Sequence, residues 1–162
     1  MTEYFNLGYA AKKALEEAQI KLGHLNVLIA GRSGVGKSTL INAIFEGNFA
    51  KTGQGRPVTQ EIKEYTKKGI PLSIFDTRGL EMAKYVQIIE DLKSFLAERA
   101  QSIDPNQHIH VAWVCIQEGS DRVEEAEINL VKMLKDRNIP VIAVITKIRF
   151  KKYQKPKNQY EF

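Results

Sequence analysis

An α/β domain, with helices layered against a mostly parallel sheet and one antiparallel pair at the sheet's edge, is predicted by three features of the 162-residue sequence. Short β-branched runs alternate with longer segments whose apolar residues recur every three or four positions. The run Gly31-Arg32-Ser33-Gly34-Val35-Gly36-Lys37-Ser38 stands between such a strand and such a helix. Two later strands are separated only by Lys67-Lys68-Gly69-Ile70-Pro71, too short for a parallel crossover, so they should pair antiparallel.

In chain order, Leu7, Ala11, Leu15, Ala18 and Leu22 predict an amino-terminal helix over residues 2–22, stopped by Gly23. Val27 to Ala30 reads as a strand, and the apolar spacing after the glycine-rich run turns helical. From Gly47 to Pro57 the composition shifts to that of a mobile loop. Strands follow at about Glu61–Thr66 and Leu72–Phe75, then a helix from about Lys84 to Arg99. His110 to Ile116 is apolar enough for a buried strand. Asp121 and Glu124 form a capping pattern for a helix running to about Asp136. Pro140 to Thr146 is a last buried strand. The organisation read from this is an amino-terminal helix (residues 1–23), a central domain (24–147) and a basic polar tail (148–162).

Composition narrows the function classes. The chain is 43% hydrophobic and 27% charged, as in ordinary globular domains. No apolar run approaches the roughly 18–20 residues that cross a bilayer, and the acidic amino-terminal stretch does not read as a secretory signal. A cytoplasmic address, with or without peripheral membrane association, is expected. One cysteine, Cys115, excludes an internal disulfide or a multi-cysteine metal site. The net charge of +5 arises in the tail, because acids and bases balance over residues 1–146, and this argues against nucleic-acid binding.

The glycine-rich run matches G-x-x-x-x-G-K-[ST] between a strand and a helix, the pattern of a loop that cradles phosphates. Its backbone N–H groups converge on phosphate oxygens at a helix N-terminus. Lys37 should reach the β- and γ-phosphates, and the Ser38 hydroxyl should ligate Mg²⁺. Asp76-Thr77-Arg78-Gly79 ends the strand Leu72–Phe75. There Asp76 can hold Mg²⁺ through water, and Gly79 can bring a backbone N–H to the γ-phosphate. Thr59, between the mobile loop and a strand, stands where a switch hydroxyl would complete the metal shell.

These motifs in this order, GRSGVGKS, then Thr59, then DTRG beside an antiparallel strand, resemble the translation-factor-related class of P-loop GTPases. Within that class the likeness is to Era-like and 50S ribosome-binding GTPase domains, over roughly residues 25–147. The resemblance implies a three-layer P-loop NTPase fold and phosphate binding by Gly31, Arg32, Ser33, Gly34, Val35, Gly36, Lys37, Ser38 and Thr39. It also implies Mg²⁺ ligation by Ser38 and Thr59 with Asp76 behind them, γ-phosphate sensing by Gly79, and catalytic parts for Lys37, Thr59 and Gly79. Thr146 and Lys147 match the first half of the base-recognition pattern [NT]-K-x-D, but Arg149 replaces its acid, and a guanidinium carries only donors. Leu80 stands where many relatives carry a water-orienting glutamine, and Gly34 where some carry a potassium-binding asparagine.

The expected activity is Mg²⁺-dependent GTP/GDP binding with slow hydrolysis, working as a switch toward a protein effector. The alternative is a nucleotide-dependent interaction or assembly module with little hydrolysis, or an incomplete GTPase with impaired guanine binding. The tail RFKKYQKPKNQYEF has neither period, so the last strand and helix of such a fold are expected to be missing. The open sheet edge could then be completed by a partner or a second copy, unless the chain is a compact variant. Arg56 is either a cis arginine finger or an exposed loop arginine. His108 and His110 should share a face of a strand, Trp113 and Cys115 should face the core, and Glu124, Glu125 and Glu127 should form a solvated helix face.

Overall fold

The computed structural model describes residue 17 and residues 23–47, 50, 55–119 and 124–147. The amino-terminal helix, apart from helical Glu17, lies outside the described residues, as do Asp121, Arg149 and the tail. The central strand β1 (Leu25–Gly31) is followed by α1 (Lys37–Phe45), β2 (Arg56–Pro57), β3 (Ile62–Thr66) and β4 (Leu72–Thr77). Then come α2 (Tyr85–Ala100), β5 (Val111–Gln117), α3 (Glu125–Asp136) and β6 (Val141–Thr146), with short 3₁₀ turns at Met82–Lys84 and Pro105–Gln107.

The six strands form one sheet in the order β2-β3-β4-β1-β5-β6. β1 runs parallel to β4 and β5, and β5 parallel to β6, while β3 pairs antiparallel with β4 and β2 with β3. Every strand placed from sequence is present within a few residues. The two-residue β2 is an addition, because Arg56 and Pro57 carry no alternation to read.

Alternation along the strands divides the core in two. Val27, Ile29, Ile74 and Cys115 pack with Ile41 and Phe45 of α1 on one face. Leu28, Phe75 and Val114 pack with Leu92 and Phe95 of α2 and Leu130 and Leu134 of α3 on the other. Arg99 lies over the Phe75 ring at 4.3 Å, so its stem and guanidinium cover an aromatic edge of that core. The result is three layers with β1 in the middle. The neighbours of β1 lead to opposite sides, which leaves a crevice at its carboxyl end.

Four expectations are corrected. β6 forms where expected but is only partly buried: Ile142 is 51% and Ile145 49% exposed. An apolar groove of about 610 Å³, lined by Val131 of α3 and Val141 and Ala143 of β6, runs beside it. His108 and His110 precede β5 instead of alternating on it. His108 Nε2 pairs with the Ser102 carbonyl at 2.8 Å, and His110 Nδ1 accepts the Asn26 amide at 2.9 Å. α3 begins only after Glu124, in a capping box with Glu127, later than the sequence pattern suggests. Glu127 is therefore buried, at 1% exposure, rather than solvated. Trp113, half-buried, and Cys115, fully enclosed, both pack with the core under α1, as expected.

Asn26 ties the foot of the sheet together. Its buried amide donates to the carbonyls of Asn106 at 2.5 Å and His108 at 2.8 Å. No described helix long and apolar enough to cross a membrane is present. Replacing Asn26 with Ala leaves those two carbonyls without their donor and should cost about 1–3 kcal/mol in urea unfolding.

Candidate functional site

The glycine-rich run bends from the end of β1 into α1. Gly31 has φ 152°, Gly34 71° and Gly36 111°. A Cβ on Gly31 would lie 2.7 Å from the Cys115 carbonyl, so the loop can leave the sheet only over a glycine. No side chain caps α1, and its first turn carries no acid, which leaves the positive end of the helix facing the crevice. Lys37, in the first turn, is 8% exposed. It folds back beneath the loop, its Nζ donating to the carbonyls of Gly31 at 3.1 Å and Arg32 at 3.2 Å.

Asp76 approaches from β4 on the same sheet face as Lys63 and Tyr65 of β3, with Lys63 its register partner. Its carboxyl is buried, and Oδ1 has no hydrogen-bond partner; neither has the Thr77 hydroxyl. Burial pushes the Asp76 carboxyl up to about 6, against the opposing pull of Lys37 and Lys63. Burial likewise lowers the Lys37 ammonium, less the support it receives from Asp76. Lys37 and Asp76 thus line one cleft at the strand ends, and one Asp76 oxygen there is left without a partner. Cys115 beneath them is held protonated, its thiol raised by burial to about 11, and so supplies no nucleophile.

Ser33, Gly34, Lys37, Ser38, Asp76 and Gly79 line one cleft of about 340 Å³. Gly79 closes against the loop: a Cβ there would stand 2.7 Å from the Ser33 nitrogen and 2.9 Å from its Cα. The adjacent Leu80 amide donates to the Gly31 carbonyl at 3.3 Å, while the Leu80 side chain is buried in the core. Thr146, at the end of β6, donates its hydroxyl to the Val35 carbonyl at 2.5 Å and so fastens the other side of the loop. Lys147 follows with φ 56° and reaches Gln117 Oε1 at 3.4 Å. Ser38 and Thr39 are exposed in the first turn of α1.

Two sequence-predicted residues point elsewhere. The Thr59 hydroxyl donates to Asp91 of α2 and accepts the Glu61 amide at 3.2 Å, so it is not brought to Ser38 and Asp76. The Arg32 guanidinium turns to Glu124 and Glu127 of α3. Arg56 is 75% exposed and paired with Glu64, the bland one of its two readings. Asp91, Lys63 and Tyr65 were missed: alternation along β3 puts Lys63 and Tyr65 on the Asp76 face, but nothing in the sequence singles out Asp91.

Two outcomes follow from this geometry. Gly79→Ala should push the Ser33 backbone aside and destabilise the ligand-free protein by about 1–3 kcal/mol, read by urea unfolding. A carboxyl raised from 3.8 to about 6 lends stability fully present below pH 3.8 and lost as pH rises to about 6. Asp76→Asn should therefore flatten that descent and leave the ligand-free protein about 1–3 kcal/mol more stable at pH 7.

Comparison with known proteins adds the lineage. Residues 26–147 match the model of the 50S ribosome-binding GTPase family. GTPase Der of Karelsulcia muelleri is 28% identical over 123 residues, covering 75% of this chain and 27% of that protein. Ribosome biogenesis GTPase A of Bacillus licheniformis is 39% identical over 66 residues, 41% of this chain and 23% of the relative. The chain thus spans about a quarter of the length of either relative. Among solved structures, a probable GTP-binding protein engB aligns with TM-score 0.52 at 23% identity, covering 74% of this chain and 69% of that one. A structure of the chloroplast translocon components atToc33 and psToc159 aligns with TM-score 0.61 at 22% identity, over 94% of this chain and 62% of the other. At those identities the structures establish the fold, and the family match, which spans most of the chain, establishes the lineage: this chain belongs to the 50S ribosome-binding GTPase family of P-loop proteins.

Proposed function

We propose that the cleft between the glycine-rich loop and β4 binds GTP and GDP with Mg²⁺, and that the domain hydrolyses GTP slowly as a switch. The observation that carries this reading is that buried Lys37 and half-buried Asp76 line one cleft at the mouth of β1, where a buried Asp76 oxygen lacks a partner. An unsatisfied carboxylate oxygen behind an exposed serine hydroxyl fits a hard, oxygen-preferring cation. Ser38 would hold Mg²⁺ directly and Asp76 through water; the ion supplies charge neutralisation on the phosphate oxygens.

The chain's own residues do the rest. Lys37 already points beneath the loop and needs only to exchange the Gly31 and Arg32 carbonyls for phosphate oxygens. The α1 N-terminus and the loop amides Gly31 to Thr39 would stabilise the charge developing on the transferring phosphoryl group. Gly79, packed on Ser33, would carry the presence of the γ-phosphate into the segment before α2. Thr59 would join the metal only by leaving Asp91, so its segment is the part expected to rearrange with nucleotide state.

The buried Leu80 side chain cannot orient a water molecule, which favours slow turnover on the order of 10⁻⁴–10⁻² s⁻¹ without a partner. It also gives weight to a second reading, a nucleotide-dependent assembly module that barely hydrolyses. Thr146 and Lys147 fit the loop-supporting half of guanine recognition. A protein effector, or a second copy at β6, would supply what turnover lacks; the solved translocon neighbour carries the statement that its dimerization is important for GTPase activity.

Single-turnover hydrolysis of GTP separates the readings. Turnover should fall at least about a hundredfold in Lys37→Ala and in Ser38→Ala at saturating Mg²⁺. Hydrolysis that persists in Lys37→Ala would remove the enzyme reading. Nucleotide binding without measurable turnover at any protein concentration would establish the assembly module instead.

A further inference from the structure

The structure assigns to Glu127 a positioning role that nothing in the motif pattern carries: with Glu124, it holds the Arg32 side chain and through it the first turn of the phosphate loop. The inference rests on the nucleotide reading of that loop. Glu127 stands one turn into α3, and its carboxylate is almost fully enclosed. An isolated carboxylate so placed costs several kcal/mol, so its partners define its purpose. One oxygen accepts Arg32 Nε at 3.2 Å and the other the Glu124 backbone N–H at 3.1 Å. Arg32 Nη1 donates to Glu124 Oε1 at 2.7 Å, so two acids from one helix end grip one guanidinium.

What they grip is a residue whose carbonyl is already committed. The Arg32 carbonyl, with that of Gly31, receives the Lys37 ammonium. It also accepts the Val35 amide at 3.3 Å, which closes the turn of the loop. A continuous path of charged hydrogen bonds therefore runs from α3 through Arg32 to Lys37, across more than 90 residues of sequence. Without the acids, the Arg32 side chain would be released from α3, and its peptide would be held by the Val35 amide and Lys37 alone. The loop would then have to be ordered by the nucleotide itself, and affinity would fall by the cost of that ordering. Glu127 touches no phosphate on this account; it acts through Arg32.

The test is mant-GDP affinity, with Mg²⁺, of the wild type, Arg32→Gln, Glu127→Gln and the double variant. Each is also unfolded thermally without nucleotide. Glutamine keeps an oxygen for the Glu124 amide, so Glu127→Gln spares the helix cap while removing the charge. The expected result is affinity about tenfold weaker in each single variant and no weaker in the double than in Arg32→Gln. Nucleotide-free melting of Glu127→Gln should stay close to that of the wild type, whereas Arg32→Gln, which leaves the buried Glu127 carboxylate without its guanidinium, should melt lower. If Glu127→Gln binds like the wild type, or the two losses multiply, the positioning role is wrong. Should Glu127→Gln not fold, Arg32→Gln with and without Glu124→Gln reads the same coupling: non-additive losses uphold the path and multiplying losses refute it. A wild type that does not bind mant-GDP refutes the nucleotide reading and this role with it; a wild type that binds beside an unaffected Glu127→Gln refutes only the role.

Discussion

The buried ammonium of Lys37 is the constraint around which the rest of the site is arranged. A charge taken out of water at the end of β1 must be answered, and here it is answered by two loop carbonyls and by Asp76 across the crevice. Neither answer is complete: Asp76 keeps an orphaned oxygen and is itself driven toward its neutral form. The fold accepts that cost because the three-layer core, with β1 buried on both faces, fixes the strand ends rigidly. A site that is electrostatically unfinished but geometrically fixed is what tight binding of a triphosphate with its cation needs.

Three independent supports hold the loop over that lysine. Gly79 packs its Cα side against Ser33, Thr146 fastens Val35, and the α3 acids hold Arg32. They come from the turn after β4, the end of β6 and the start of α3, so elements far apart in sequence meet on eight loop residues. The same arrangement explains the place of Leu80. Its amide serves the loop while its side chain completes the core under α2, a use of this position for packing and not for handling water.

Much of this was legible in the sequence, and the reasons are specific. Near-continuous apolar runs place β1, β4 and β5 because these strands are buried on both faces, and the five-residue link fixes the antiparallel pairing of β3 with β4. The phosphate loop and Asp76 are legible because local backbone chemistry demands those residue types in order. What was not legible depends on long-range burial. Glu127 belongs by composition to a solvated acidic face and is buried only because Arg32 comes to meet it from 95 residues away. Thr59 was placed by analogy of order, but a threonine hydroxyl bonds whichever acceptor the fold brings, here Asp91 of α2. The histidines were assigned to a strand that in fact begins one residue later, where the capping interactions at Asn26 take over the backbone.

The central claim is that the Lys37–Asp76 crevice is a guanine-nucleotide site. It is tested most directly by calorimetric titration of GDP and of ADP, each with Mg²⁺ and with a chelator, into the purified wild-type protein. The account predicts one GDP per chain, binding that weakens on removal of Mg²⁺, and ADP at least about tenfold weaker, roughly 1.4 kcal/mol. Equal binding of the two nucleotides would contradict the assignment of guanine, and absence of binding by either would contradict the site.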